Sequence, residues 1–184
     1  MKRKFYAAAQ IFLLLLLCSG ATSTLALHLP KRDYLTPKEE DQVREAQIID
    51  KRIEVFIKAA ERRLQALTNS SVAPGKQAQK DLEKWGELPT GTRSELIMDI
   101  ANILDAAITN IDDVATRDEK NALIPKALRK LAEAVTRFQP QIASMREQAK
   151  TELERNAVDQ VIGNIQEILG AAGKLQPEEK KKKA

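Results

Sequence analysis

The side chains in this sequence with the most capacity for chemistry are grouped acids: Asp112-Asp113, Asp99 with Asp105, and Glu39-Glu40-Asp41. Two carboxylates whose surroundings drive their pKa values apart can act as general acid and base, and acidic clusters can ligate calcium. Adjacent acids on a helix ordinarily face water, however, and acids in a first turn answer the helix dipole. None of these groups is therefore assigned a catalytic role. Asp112-Asp113 is the odd pair, since acids near a helix C-terminus are unfavourable unless the N-terminus of the next helix offsets them.

Other reactive types are scarce. The sequence has one histidine, His28, and one cysteine, Cys18. A di-iron carboxylate bundle needs Glu-x-x-His pairs, a catalytic zinc needs His or Cys ligands, and c-type haem attachment needs two cysteines. No Gly-x-Ser-x-Gly elbow, P-loop or dinucleotide fingerprint occurs. The chain reads as a non-enzyme, with no catalytic, cofactor-binding or metal-ligating residue and no cofactor. Its one tryptophan, Trp85 in Lys84-Trp85-Gly86, either anchors an interface or covers one end of a helical core.

The elements that would position these residues are helices. Thr36-Pro37-Lys38-Glu39 has a cap, a first-turn proline and a capping box. Apolar residues then fall at Val43, Ala46, Ile49, Ile53, Phe56, Ala60, Leu64 and Leu67 in steps of three and four, which predicts one long amphipathic helix. The stretch from Thr68 to Gly75 ends it as a loop and contains Asn69-Ser70-Ser71, a glycosylation sequon with meaning only in a eukaryotic secretory route. A short helix runs from about Lys76 to Trp85, stopped by Gly86 and Pro89. Thr92-Arg93-Ser94-Glu95 opens a long helix through Leu96, Ile100, Ile103, Ala107, Ile111 and Val114. A third box at Thr116-Arg117-Asp118-Glu119 places a break near Ala115. The last helical region carries Ile124, Leu128, Leu131, Val135, Phe138, Ile142, Met145, Ala149 and Leu153, then Val158, Val161, Ile165 and Ile168. Its stripe keeps phase across Pro140, so a kink or two nearly collinear helices are expected there in place of a hairpin. Gly170, Gly173 and Pro177 end the region. No sustained period-two alternation supports a strand.

Such stripes must pack together. The expected fold is all-α, an elongated antiparallel bundle of three to four long amphipathic helices spanning 36–172. It follows a disordered lead at 27–35 and precedes a disordered Lys-rich tail at 173–184. The continuous stripe also resembles a coiled-coil seam, open to dimerisation.

The chain begins Met1-Lys2-Arg3-Lys4 and continues through the uncharged run Ala7 to Leu17 into Ser19-Gly20-Ala21-Thr22-Ser23-Thr24. A spanning helix needs roughly 20 apolar residues, and this run is shorter. It reads as a signal peptide over 1–26, cut after Ala21 or Ala26, which makes the protein exported, periplasmic or secreted. The rival reading makes Cys18 a lipidated cysteine, although Leu17 stands where a small residue is wanted. Of the 30 basic residues three leave with the signal, so the remainder nearly balances the 26 acids. Basic and acidic residues alternate along the body, which gives no clustered cationic face and argues against a nucleic-acid partner. The lysines at 180–183 offer contact with anionic lipid or cell-wall polymer, or serve as a solvated tail.

Tyr34-Leu35-Thr36-Pro37-Lys38-Glu39 through Ala59-Ala60-Glu61-Arg62-Arg63-Leu64 resembles the opening of a family of exported bacterial helical proteins, a likeness that implies no activity. Leu35-Thr36-Pro37-Lys38-Glu39 is also similar to the Leu-Thr-x-x-Gln motif of small periplasmic helical stress chaperones. It has Glu in place of Gln and no second copy, and the basic concave surface of that family is missing. The expected function is non-enzymatic: protein binding or a structural role in the cell envelope, through a protein partner or self-association. The alternative is a chaperone-like or membrane-surface binder.

Overall fold

The structure, a computed structural model, describes residues 32–68 and 76–175, with side chains in the second stretch described from residue 79. The N-terminal apolar run with its cleavage positions, Cys18, His28, the sequon and the terminal lysines lie outside the described residues. The described residues form six α-helices and no strand: α1 (Pro37–Glu45), α2 (Ile49–Leu67), α3 (Lys76–Trp85), α4 (Arg93–Arg117), α5 (Leu123–Gln148) and α6 (Glu152–Gly173). The all-α class and the packed helical bundle expected from the periodicity are what these residues adopt.

The predicted apolar stripes make one core, except that Leu153, placed in the last stripe, falls beyond the turn at 149–151 and is 71 % exposed. Ile53 and Phe56 of α2, Ile100 and Leu104 of α4, Leu131 and Val135 of α5, and Val158 and Val161 of α6 are buried together. Each such side chain contributes roughly 1.5–3 kcal/mol on leaving water. Alanines at 59, 60, 101, 107, 127, 134 and 157 are also buried, and their small side chains let the helix axes approach closely.

Helix direction follows from the polar pairs between helices. Arg52 Nη1 donates to Asn110 at 3.2 Å, and Arg63 Nε lies 3.9 Å from Asp99, so α2 and α4 are antiparallel. Asp50 instead meets Lys126 at 2.8 Å, Glu54 meets Lys130, and Glu61 meets Arg137 at 3.2 Å. Rising numbers pair with rising numbers, so α2 and α5 are parallel neighbours. The last two pairs share a separation of 76 positions. α6 turns back along α5, with Arg146 to Asp159 at 3.2 Å, and therefore runs the same way as α4. Asn164 on α6 donates to the Ala101 carbonyl of α4 at 2.8 Å. Around the core the order is α2, α4, α6, α5, with α4 and α5 facing each other across the diagonal. An arrangement with every neighbour antiparallel is thus replaced by one with two parallel contacts.

Three boundaries depart from the sequence reading. The long first helix is broken at 46–48, where Ala46 has ψ 83° and Ile48 is extended, and α1 folds back on α2. The Gln47 amide donates to the Arg44 carbonyl at 2.6 Å and Arg52 Nε to the Ala46 carbonyl at 2.9 Å, so side chains satisfy the acceptors that the break releases. The box at Thr116 is not used: α4 runs on to Arg117, and the next helix begins beyond Asn121, whose side chain accepts from the Leu123 N–H at 3.0 Å. Finally, α5 continues across Pro140 without a hairpin, as expected, but the last helical region is divided by a turn at 149–151 that the stripe did not announce. There Thr151 Oγ1 accepts from the Glu154 N–H at 3.1 Å, and the Glu154 carboxylate accepts from the Lys150 N–H at 2.8 Å. The two other predicted boxes, at Thr36 and Thr92, form with both reciprocal bonds. Short α3 starts and stops where Lys76 and Gly86 put it.

Because Thr151 fixes the α5–α6 turn through its cap, Thr151→Ala is expected to cost about 1 kcal/mol. Urea denaturation followed by circular dichroism checks this; an unchanged midpoint would mean that the turn is set by packing alone.

Candidate functional site

The charged residues that the core encloses are Glu39, Asp50, Arg62, Arg63 and Asp99. They fall into two groups. The first begins at the capping box of α1. Glu39 Oε2 accepts from the Thr36 N–H at 2.9 Å, closing the box, while Oε1 accepts from Arg62 Nε at 2.9 Å and from Arg63 Nη1 at 2.5 Å. A capping glutamate ordinarily sits in water; this one is fully buried. Burial alone would raise its pKa, but Arg63, the Thr36 N–H and Arg62 together outweigh that and hold it below the ordinary carboxylate range.

The arginines carry the contact onward. Arg63 Nη2 donates to the Tyr34 carbonyl at 2.6 Å and Nη1 to the Ala59 carbonyl at 3.1 Å. Arg62 Nη2 donates to the carbonyls of Gly86, at 3.2 Å, and Glu87. Gly86 has φ +73°, a left-handed conformation that glycine adopts without strain, and this turn aims those carbonyls at Arg62. Lys38 reaches the same place from α1, its Nζ donating to the Glu83 carbonyl at 2.9 Å in the last turn of α3. Cations at a helix C-terminus answer its dipole. One cluster of side chains thereby ties α1, α2 and α3 together, with Asp99 of α4 balancing the second arginine.

The second group is the ladder between α2 and α5. Asp50 lies 2.8 Å from Lys126 and 3.0 Å from Lys130, and Lys130 also meets Glu54. The hydrogen bonds from Lys126 and then Lys130 outweigh burial and lower the Asp50 pKa to about 2. The Lys130 pKa is raised, first by its bond to Glu54 and against burial.

Trp85 is buried beside α1, sharing a surface depression with Gln42 and Glu45 of α1, Ala46 at the bend and Val55 of α2. The Lys84 ammonium stands 5.3 Å from its ring centroid, within cation–π range. On the outer side of α3, Leu82 and Leu88 are 51 % and 37 % exposed. They line an open depression of about 160 Å³ with Lys58, Arg62, Gln65, Asp81 and Gly86. Small-molecule sites occupy roughly 300–1,000 Å³, so this surface suits the side chain of a partner better than a free metabolite.

The acids named from the sequence are dispersed. Glu39 and Asp99 are buried on opposite sides of Arg63, whereas Glu40, Asp41, Asp105, Asp112 and Asp113 are exposed. Asp41 pairs locally with Arg44 at 2.8 Å. No group of three or more His, Cys, Asp or Glu among the described residues is arranged to hold a metal ion, and no described helix is long and apolar enough to cross a membrane. The sequence reading passed over Arg62 and Arg63. Their signal was two adjacent cations at and beside the apolar stripe, next to Leu64.

Compared with known proteins, the chain matches no family model, no curated protein and no solved structure.

The two groups give separate expectations. Glu39→Ala strands two enclosed guanidinium groups and opens the box, which costs about 3–5 kcal/mol. Asp41→Ala removes an exposed pair worth under about 1 kcal/mol. Equal losses in urea unfolding would refute the distinction. Asp50 has a folded pKa below its unfolded value of 3.8, so its stabilisation is present above pH 4 and is lost as pH falls through about 2. Asp50→Asn should therefore unfold more readily than the parent near neutrality and converge with it in strong acid. Parallel curves across pH 2–6 would contradict this.

Proposed function

We propose that this chain is an exported helical protein of the cell envelope, without catalysis of its own, that binds a protein partner through the outer face of α3 and the connector after it. On this reading residues 1–26 are the export signal, and the four longest helices are the rigid body that carries the binding face. The observation that carries it is the pair Leu82 and Leu88. Large side chains are exposed here on a well-packed bundle, on the same depression, and rimmed by Lys58 and Asp81. An exposed apolar spot with a polar rim is the usual anatomy of a recognition site.

The chaperone-like reading asks for a broad apolar surface. Among the described residues the exposed large hydrophobics are Ile48, Leu82, Leu88 and Leu153, and only Leu82 and Leu88 of these line a common depression. A small, defined patch suits one partner more than a range of unfolded clients.

The test is affinity capture from an envelope extract with the parent chain and with a Leu82→Glu, Leu88→Glu double variant. Both positions are exposed, so the variant should keep the parent's helicity and lose at least tenfold in capture, about 1.4 kcal/mol. Equal capture by both proteins would discard this face as the binding site.

A further inference from the structure

α1 is attached to the bundle in an unusual way. A helix normally docks by burying an apolar stripe, yet the one buried residue of α1 is the carboxylate Glu39. Val43 is only partly buried against the core. The rest of the attachment is the flank of α1 beside buried Trp85 and two polar contacts, Lys38 to the α3 carboxyl end and Arg63 to the Tyr34 carbonyl. The receiving surface belongs to α2 and α3, and its specific feature is a pair of enclosed guanidinium groups that require an acid.

The hinge that folds α1 back has no sequence device of its own. Residues 46–48 are Ala-Gln-Ile, with neither glycine nor proline, and α2 begins without a side-chain cap. The apolar period runs unbroken through Val43, Ala46, Ile49 and Ile53, so a straight helix from 37 to 67 satisfies the local sequence as well as the bent form does. Ile48 stands 53 % exposed at the bend. The bend is held by the distant contact of Glu39 with Arg62 and Arg63, together with the Gln47 and Arg52 bonds to the carbonyls it releases.

We propose that α1 is an exchangeable arm, and that two copies of this chain trade it, each placing Glu39 between Arg62 and Arg63 of the other. The contact remade between copies is the one present within a single chain, so no new recognition chemistry is needed. α1 lies antiparallel to the α2 that receives it. Once straightened, the two 37–67 helices of a two-fold pair therefore run antiparallel, crossing near Ile48, where each exposed isoleucine gains a cover. The exchange adds helical hydrogen bonds at 46–48 and loses the entropy of bringing two molecules together, so it grows with concentration. Arg62 also lines the depression of Leu82 and Leu88, so the two surfaces adjoin; self-association and partner capture are read by different measurements, and the proposal stands or falls apart from the partner reading.

The experiment uses residues 27–184, which contain every described residue of the compact unit that starts at Asp33. The chain is refolded from urea over a concentration series, and mass is read by light scattering. A dimer fraction that rises with concentration is expected. Gln47→Ala removes the side-chain bond to the Arg44 carbonyl and improves helix propensity, so it should raise the dimerisation constant roughly threefold. Gln47→Pro forbids the straight helix and should lower that constant roughly a hundredfold or more. Its monomer should keep the parent's Trp85 emission, because α1 still covers that ring. Should the proline variant fail to fold, Ile48→Gly disfavours the straight form by the same route. Mass that stays monomeric for both the parent and Gln47→Ala overturns the proposal, and so does a dimer that neither Gln47→Pro nor Ile48→Gly weakens.

Discussion

The two oxygens of one carboxylate hold the near end of this molecule together. Glu39 closes the first turn of its own helix with one oxygen and neutralises two arginines of the next helix with the other. Without the second contact α1 has little reason to lie down on α2, since its remaining side chains are mostly polar. Arg62 in turn fixes the connector after α3 through backbone carbonyls. The position of Trp85, and of the leucines outside it, therefore rests on a charge contact and not on the main apolar core. Charged groups enclosed in this way are costly to separate but add little over an apolar replacement. Their effect lies in allowing one docking geometry, because a carboxylate between two guanidinium groups tolerates little displacement.

The far end of the molecule uses charge differently. Asp50, Lys126, Lys130 and Glu54 link α2 to α5 at the rim of the core, where the lysines remain partly in water. Apolar burial brings those helices together, and the ladder selects their register. A shift of one helical turn would place Glu54 beside Lys126 and leave Asp50 with one lysine in place of two.

Where local chemistry and tertiary packing agree, the sequence was legible. The boxes at Thr36 and Thr92, the stop at Gly86 and, Leu153 apart, the apolar faces of the long helices lie where residue type and period place them. Failures occurred where a nonlocal contact decides the backbone. Nothing between Ala46 and Ile48 announces a bend, because its cause sits at Arg62 and Arg63. Thr116 carries a good capping pattern, yet Asn121 and the crossing to α5 override it. The helix carries on across Pro140 as its stripe implied, because that residue lies on an exposed face where one lost backbone bond is tolerable. The true turn was written in Thr151 and Glu154, a capping pattern without a proline. The binding face was not legible, since Leu82 and Leu88 look like ordinary members of a short helix until α3 is seen with its other face on α1.

The parallel pairing of α2 with α5 also bears on how the chain reaches this fold. The α2–α4 and α5–α6 pairs are each neighbours along the chain, apart from the small insertion of α3, and can assemble as hairpins from nearby segments. Joining them requires α2 to find α5 across 76 positions and α4 to find α6 across 63, against 58 for the Arg52–Asn110 pair of α2 and α4, and closing these loops carries its own entropy. The short link between α4 and α5 must meanwhile cross the diagonal of the bundle. The α5–α6 turn is thus the most local contact among the long helices, closed by Arg146 and Asp159, and the α2–α5 contact the most distant in sequence.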